Sequence, residues 1–456
     1  MKANFRSVVA VCLSVIIILP LFAGCGSDDG KFYDNGEFRY KAFSDHAELI
    51  EYKGSGGKVT VPSELKGKPV TVLGEGLFKN RSNISSVSIP SSVTSVNAEA
   101  FSHCTALTVL EIPEGVKTVG VGAFSYCTAL KSVTLPSTLA VLPENAFYQC
   151  LSLEKAELTS GLAEIGPHAF YACQSVSGIT LPDTLVTIGD YAFLQCTALS
   201  EITLPDSVET VGVGSFSECG VLTAFAAGKG LRTIGDNAFA MCHKLATVTL
   251  NDGLVSVGNN AFAESTVTEM VFPDSVTSLG SCLIGCAKLV AVTLPSEITG
   301  IADSMFDGCV KLTSVEIPSG VVSIGDRAFY GCESLESPVM PESLETVGDY
   351  AFSQCIKFDK LVFTDALKSV GKGAFSQCVA LTDVKLGEGL TAIGDSAFES
   401  CWKMRYITLP ASVENVGTEI FKSCSYLRIV TIKKEADSLD TSTWGKGFSV
   451  KWQPQS

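Results

Sequence analysis

The sequence is poor in histidine, which is a common metal ligand and catalytic base. It has only four histidines, and His46, His103, His168 and His243 lie far apart along the chain. Zinc sites use cysteine or histidine pairs at short, defined spacings, and no such set of pairs occurs. We therefore expect no metal, no cofactor and no nucleophilic catalysis.

Positive charge is scarce as well. The chain has 33 Lys and Arg against 48 Asp and Glu, which gives a formal net charge of -15. We expect no basic cluster and no aromatic and basic face to interrupt this acidic body. Because an acidic protein repels phosphate backbones at long range, we expect no nucleic-acid partner.

A long apolar run occurs only near the N-terminus. Two basic residues precede an apolar segment that ends at Pro20, a pattern typical of a removable secretory signal over residues 1–24. A helix that spans a bilayer needs ~20 apolar residues, so this segment is too short to span. Residues 25–30 are polar and glycine-containing, and we interpret them as a flexible tether.

A cysteine directly follows the small residues Ala23 and Gly24. This arrangement resembles the lipobox of bacterial lipoproteins, whose cysteine is diacylated and becomes the first residue of the mature protein, although Phe22 stands where leucine is usual. The resemblance implies lipidation of Cys25, and the alternative is an ordinary cleavage site with an incidental cysteine. Two acyl chains give stable anchoring. We expect a secreted protein, exposed at the cell surface and attached to the bacterial membrane through this lipid only.

The rest of the chain is dominated by an internal repeat. One aromatic position recurs every 23 residues, with a single step of 21 where leucine replaces phenylalanine. Its sixteen occupants are Phe78, Phe101, Phe124, Phe147, Phe170, Phe193, Phe216, Phe239, Phe262, Leu283, Phe306, Phe329, Phe352, Phe375, Phe398 and Phe421. A period of 20 to 29 residues with regular leucine-type positions is typical of stacked single-coil repeats.

One copy shows the expected local structure. Leu110 and Ile112 alternate with Val109 and Glu111, which is the period-two pattern of a half-buried strand, and Pro113 ends the strand. Strands of successive copies should therefore stack in parallel. The sequence predicts a repeat solenoid, a leucine-rich repeat of about sixteen 23-residue coils, with a parallel β-sheet on one face and short strands and helical turns on the other.

The second half of each copy leads into a glycine, which we expect to supply a backbone bend. In several copies an aspartate follows that glycine, where its carboxylate can cap the short helical turn that carries the Ala-Phe pair. These aspartates are Asp190, Asp236, Asp326, Asp349 and Asp395.

A stack of coils must be closed at both ends, because a single coil cannot bury its own apolar edge. We assign residues 31–77 to an N-terminal cap, residues 78–432 to the solenoid and residues 433–456 to a C-terminal cap. The last segment holds Trp444 and Trp452, two of only three tryptophans.

The repeat Leu-x-x-Val-x-Leu-Pro-x-x-Val-x-x-Ile-Gly-x-x-Ala-Phe-x-x-Cys resembles the BspA-like, or Treponema pallidum-type, bacterial leucine-rich repeat, and the resemblance covers residues 78–432. The segment from Gly54 to Val70 is similar to the first, capping copy of that family. The resemblance implies a solenoid on the cell surface or in secretions. It also implies adhesion, through binding to host extracellular-matrix proteins, to other microbes or to host cells.

Seventeen cysteines in a secreted protein raise the question of disulfides. Fourteen of them, from Cys104 to Cys424, sit three residues after the repeat Phe or Leu283, and thus occupy one structural position. We favour buried free thiols, because cysteine packs well as a small hydrophobe. Cys282 is left unassigned.

Outward positions of the predicted strands are mostly threonine, which suits a solvated sheet by propensity alone. Binding hot spots favour Tyr, Trp and Arg. Exposed candidates of these types cluster in the last copies, at Trp402, Arg405, Tyr406, Tyr426 and Arg428. Two irregularities are further candidates, or tolerated slips: the short repeat at 263–286 and a proline at position 338.

The leading hypothesis is a surface-tethered interaction protein that binds a protein or glycan ligand, such as host extracellular matrix. The alternative is a structural spacer or envelope-assembly protein that binds cell-wall or membrane partners. An enzyme is not expected, because only two short segments lie outside the repeats.

Overall fold

The computed structural model describes residues 30–454, in which a coil of about 23 residues is stacked about 18 times. The expected signal peptide and Cys25 lie outside the described residues. Within residues 30–454 the regular elements are strands, and there is no helix.

The strands, in chain order, are β1 Lys31–Asp34, β2 Phe38–Ala42, β3 Ala47–Tyr52, β4 Gly57–Thr60, β5 Glu64–Leu65, β6 Lys68–Leu73, β7 Ile84–Ser88, β8 Ser95–Val96, β9 Val109–Glu111, β10 Thr118–Val119, β11 Ser132–Thr134, β12 Val141–Leu142, β13 Lys155–Glu157, β14 Glu164–Ile165, β15 Thr187–Ile188, β16 Glu201–Thr203, β17 Thr210–Val211, β18 Ala224–Ala226, β19 Thr233–Ile234, β20 Thr247–Thr249, β21 Ser256–Val257, β22 Glu269–Val271, β23 Ser278–Leu279, β24 Ala291–Thr293, β25 Gly300–Ile301, β26 Ser314–Val315, β27 Ser323–Ile324, β28 Thr346–Val347, β29 Lys360–Val362, β30 Ser369–Val370, β31 Asp383–Lys385, β32 Ala392–Ile393, β33 Tyr406–Leu409, β34 Asn415–Val416, β35 Ile429–Ile432 and β36 Ser449–Trp452.

Each regular coil contributes one strand to each of two parallel faces. The first face is formed by the Leu-x-x-Val-x-Leu segments, so that β9 pairs in parallel with β11 and β11 with β13. The second face is formed by the Val-x-x-Ile segments, so that β14 pairs with β15 and β15 with β17. The predicted leucine-rich repeat solenoid is confirmed.

Alternation along each strand separates the core from solvent. In β9, Leu110 is buried while Val109 and Glu111 are exposed, as the period-two pattern predicts. The repeat phenylalanines stack along the core, with ring centroids 5.0 to 5.5 Å apart in each step from Phe78 to Phe262. Each such pair adds about 0.5–1.5 kcal/mol beyond its burial. Every coil is therefore stabilised mainly by its two neighbours.

The ends of the stack are covered by segments that depart from the repeat. At the N-terminal end β1, β2 and β3 form an antiparallel sheet, and the rings of Phe38 and Tyr52 pack against Phe78. At the other end β36 pairs with β35, and the fully buried Trp444 packs edge-on against Phe421. Strands β4, β6 and β36 also pair with strands of the stack. The stack therefore has more turns than the sixteen copies of the repeat aromatic position.

The helical turns expected around each phenylalanine are not helices. Backbone N–H groups there alternate between two kinds of acceptor: Ser125 N–H donates to the carbonyl of Gly122, whereas Phe124 N–H donates to Ala146 on the next coil. Left-handed residues flank the phenylalanine at Gly122 and Tyr126, with φ of 62° and 58°. A right-handed helix cannot continue through a left-handed residue, so each turn ends within a few residues.

The glycine before this turn has a different role from the predicted bend. A Cβ on Gly120 would lie 2.3 Å from the backbone nitrogen of Ala98 on the preceding coil. Close approach of coils, and not positive φ, requires glycine here.

The aspartates after that glycine also differ from the prediction. Asp190 does not cap its own turn, because its Oδ1 accepts a 2.8 Å hydrogen bond from the N–H of Val213, 23 residues later. Asp349 and Asp395 accept in the same way from Lys372 and Thr418. The aspartates therefore link one coil to the next.

The described cysteines, fifteen in number, are buried free thiols. In the fourteen at the repeat position, each thiol donates to the carbonyl of the repeat residue one coil earlier, as Cys127 does to Phe101 at 3.2 Å. The spacing of these cysteines therefore reflects a ladder of S–H···O bonds inside the core.

Candidate binding surface

The first face presents the outward positions of its strands to solvent. Thr134, Thr203, Thr249 and Thr293 occupy such positions and are exposed, in line with the threonine ladder predicted from the sequence. Short hydroxyl side chains on a flat sheet offer little area for binding. Most of this face is thus a solvated surface.

The last coils differ from the rest of the face. Trp402, Tyr406 and Tyr426 are 51%, 58% and 59% exposed, and Arg405 and Arg428 are exposed beside them. Among residues 30–454, none of the three rings packs against another aromatic ring. We call these five residues the C-terminal patch.

Backbone pairing brings the members of the C-terminal patch together on two adjacent coils. The N–H of Arg428 donates a 3.0 Å hydrogen bond to the carbonyl of Arg405. Tyr406 lies opposite Ile429 in the pairing of β33 with β35. Tyr426 and Trp402 lie just before these strands, on the edge of the first face. The sequence-predicted residues are neighbours in space.

Basic side chains that the sequence interpretation missed extend the patch along the same face. They occupy outward positions of the last five coils, are exposed, and form no ion pair with another described residue. These residues, which we call the lysine set, are Lys357, Lys360, Lys385, Lys403 and Lys451. Their wide and irregular spacing hid them, because residues spread from position 357 to position 451 form no cluster in the sequence.

The two sequence irregularities have different structural outcomes. In the short repeat at 263–286, Cys282 and Leu283 stay fully buried and β21 still pairs with β23, so the core continues. At position 338 the proline replaces a strand residue, β26 and β29 do not pair, and Val339 is 87% exposed. A groove of about 730 Å³ lies between residues 314–319 and 336–342, and one of about 770 Å³ lies in the equivalent place between regular coils, beside residues 58–60 and 109–114.

A second aromatic group lies on the turn edge of earlier coils. It consists of partly buried rings, His103, Tyr126, Tyr148, His168, Tyr171 and Tyr191. Several of these rings cover each other face to face, with Tyr148 and Tyr171 4.6 Å apart and His168 and Tyr191 5.1 Å apart. Because their faces are already occupied, this group serves packing between coils.

The part of the chain that the structure covers gives little support for a metal site or for a membrane-spanning helix. Residues 30–454 hold no group of three or more His, Cys, Asp or Glu side chains placed to bind a metal ion. In the same range, no helix is long and apolar enough to cross a membrane.

Comparison with known proteins agrees with this architecture. A leucine-rich repeat protein from Bacteroides ovatus is similar in structure, with a TM-score of 0.67 and 24% identity over 92% of this chain and 99% of that one. This likeness supports the fold and nothing beyond it. A leucine rich cell surface protein from Faecalibacterium prausnitzii matches at 20% identity over 94% of this chain and 97% of its own, with a TM-score of 0.36. A T. pallidum leucine rich repeat protein matches at 24% identity over 57% and 91%, with a TM-score of 0.33.

No curated protein matches the chain in sequence. The family model of the BspA type leucine rich repeat region, in contrast, matches residues 59–177, 164–285, 281–365 and 345–446. Proteins built from such repeats generally act through protein–protein interaction and are typically not enzymes. These matches span well over half of the sequence and confirm the resemblance seen in the repeat, so the chain belongs to the BspA-type leucine-rich repeat proteins.

Proposed function

We propose that the protein is a lipid-anchored adhesin of the bacterial cell surface, which binds macromolecules of a host matrix or of other cells through its C-terminal patch. The observation that carries this proposal is the patch itself: three half-exposed aromatic rings and two arginines on adjacent coils of an otherwise threonine-rich face. Residues of these types dominate measured binding energies at protein interfaces.

The position of the patch fits an adhesive role. If Cys25 carries the lipid, the anchor lies before the first coil and the patch lies on coils near the far end. With strands ~4.8 Å apart, the intervening coils hold the patch roughly 70 Å from the anchored end. A binding surface at that end is accessible to partners outside the cell.

The test is binding of the purified protein to immobilised matrix proteins, host cells and bacterial wall polymers. A Trp402→Ala, Tyr406→Ala, Tyr426→Ala variant should lose saturable binding. A matched control changes exposed apolar residues of the same face in earlier coils, Val109→Ala and Val271→Ala, and should bind as the unchanged protein does. Equal binding by both variants would mean that the C-terminal patch is not the binding surface.

The anchor needs its own experiment. Replacing Cys25 with serine should release the protein from membranes into the medium, and mass spectrometry of the unchanged protein should find two acyl chains on its first residue. Binding to wall polymers alone, together with an envelope defect in cells that lack the protein, would instead support the structural spacer.

A further inference from the structure

The C-terminal patch and the lysine set together make one part of this acidic protein basic. Outward positions of the last five coils hold seven basic side chains, the lysine set with Arg405 and Arg428, against two acidic ones, Asp359 and Asp383. The chain as a whole carries a net charge of -15. The expectation that no aromatic and basic face interrupts the acidic surface is therefore wrong, because such a face forms when the coils close.

These cations are free to meet a ligand. Lys360 lies beside Asp383, and Lys385 beside Val362, in the pairing of β29 with β31. Yet none of the seven makes an ion pair within residues 30–454, whereas Lys422 and Lys433 nearby are bonded to Glu419 and Glu388. Unpaired cations that repeat from coil to coil create a local positive potential, which attracts a ligand with repeated negative charge.

The shape of the surface also suits a linear polymer. Here the rings stand half exposed, and the adjacent groove is open and largely polar, lined by Lys357 and Lys403, by the carboxylates Glu336 and Asp359, and by Ile356, Ala380 and Thr382. Exposed ring faces can contact the apolar faces of sugars while neighbouring cations bind acidic substituents.

We propose that the C-terminal patch and the lysine set bind an anionic polysaccharide, a chain of sulfated or uronic-acid sugars. The inference rests on the proposed adhesive function and names the chemistry of its ligand. A nucleic acid carries the same kind of repeated charge, so the oligonucleotide in the experiment below separates the two polyanions.

The probe is heparin, with desulfated heparin, dextran and a single-stranded oligonucleotide as comparators. The expected result is saturable heparin binding that weakens as salt is raised, since exposed charges are screened, with little binding of dextran. A Lys403→Gln, Arg405→Gln, Arg428→Gln variant should bind heparin about tenfold more weakly, because three exposed ion pairs are lost. A matched variant with Lys131→Gln, Lys244→Gln and Lys288→Gln, exposed lysines near the same face in earlier coils, should bind normally.

Unchanged heparin affinity in the patch variant would overturn the proposal, as would equal or tighter binding of the oligonucleotide. Thermal unfolding of each variant checks that the fold is intact. Matrix proteins stripped of their polysaccharides by lyases separate this inference from the proposed function. Patch-dependent binding to the stripped proteins would support the adhesin and contradict the polysaccharide as its ligand. Patch-dependent binding to heparin, without binding to matrix or cells, would support the polysaccharide ligand and contradict the adhesin.

Discussion

The thiol of Cys242 donates a 3.2 Å hydrogen bond to the carbonyl oxygen of Phe216, which lies 26 residues earlier on the preceding coil. The same bond recurs at every cysteine of the repeat position, with sulfur–oxygen distances of 3.1 to 3.4 Å. The Phe216 carbonyl also accepts a 3.3 Å hydrogen bond from the N–H of Cys219. The cysteine ladder therefore adds an S–H donor to one carbonyl in each coil while filling the core.

We expect Cys242→Ala to lower the free energy of unfolding by about 1–3 kcal/mol, because a buried side chain is truncated and the Phe216 carbonyl loses one of its two donors. Cys242→Ser should restore little of this loss, since the shorter C–O bond keeps the hydroxyl from the carbonyl. Urea unfolding followed by circular dichroism measures both, with the exposed Ser425→Ala as control. A serine variant as stable as the unchanged protein would refute the role of sulfur.

The natural exception is Ser265, which stands at the cysteine position after Phe262. Its hydroxyl contacts the thiol of Cys286 at 3.4 Å, and it makes no hydrogen bond to the Phe239 carbonyl among the described residues. We expect Ser265→Cys to complete the ladder and raise the unfolding free energy by about 1 kcal/mol. Urea unfolding of this variant measures the change in unfolding free energy. A destabilised variant would show that the short repeat has no room for sulfur.

The ladder thiols should be chemically inert in the folded protein. Burial raises the pKa of Cys196 and Cys242 to about 12, and the reactive species is the thiolate. We expect iodoacetamide at pH 8 to leave all fifteen described cysteines unmodified, and to modify them after unfolding in guanidinium. Mass spectrometry of the two samples gives the count. Rapid labelling of a ladder cysteine without denaturant would indicate local opening of that coil.

Much of this architecture follows from the sequence because its determinants are local. The strand at Val109–Glu111, the buried positions Leu110 and Ile112 and the common position of the cysteines all come from patterns within one copy. The partner of Asp190 is not local, since its acceptor oxygen meets a residue 23 positions away only once the coils stack. The helical turn was mispredicted because the left-handed position two residues after the phenylalanine is held by ordinary residues such as Tyr126 and Gln149, which carry no signal in the sequence.

In the candidate site too, some residues could be predicted from the sequence and others could not. Trp402, Tyr406 and Tyr426 stand out by residue type and lie close together in the sequence, so they could be found without a structure. Lys360 and Lys385 are ordinary surface lysines until the pairing of β29 with β31 places them on one face. The charge of a solenoid face is thus best assessed by comparing the residues that successive coils place on that face.

The carboxylates that bridge coils should make stability depend on acid. The N–H of Thr418 donates to Asp395, and that bond is the main reason why the pKa of Asp395 is lowered. Bonds from Lys229 and Ser296 lower the pKa of Asp206 and Asp274 in the same way. A pKa that is lower in the folded state gives stabilisation that is present above the unfolded value of about 3.9 and is lost as pH falls through the folded value.

Changing Asp206, Asp274 and Asp395 together to asparagine should therefore flatten the fall in melting temperature between about pH 5 and 3, because the variant lacks the charge-linked stabilisation and should melt at a lower temperature at pH 7. Asparagine keeps an acceptor oxygen, and Asn259, at the repeat position of Asp395, already accepts from the N–H of Ser281. Thermal unfolding across the pH range is the measurement. An unchanged pH profile would show that these bonds contribute nothing to acid sensitivity.

The C-terminal end of the stack depends on Trp444, which is fully buried, packs against Phe421 and accepts at its carbonyl from the Phe421 N–H. Trp444→Ala should destabilise this end by about 3–5 kcal/mol. Because coils are stabilised by their neighbours, the loss should appear as faster amide exchange in the last coils, with little change near Phe124. The indole nitrogen has no hydrogen-bond partner in the described residues, so Trp444→Phe should retain most of the protection. Uniformly faster exchange along the whole chain would mean that the solenoid unfolds as a single unit.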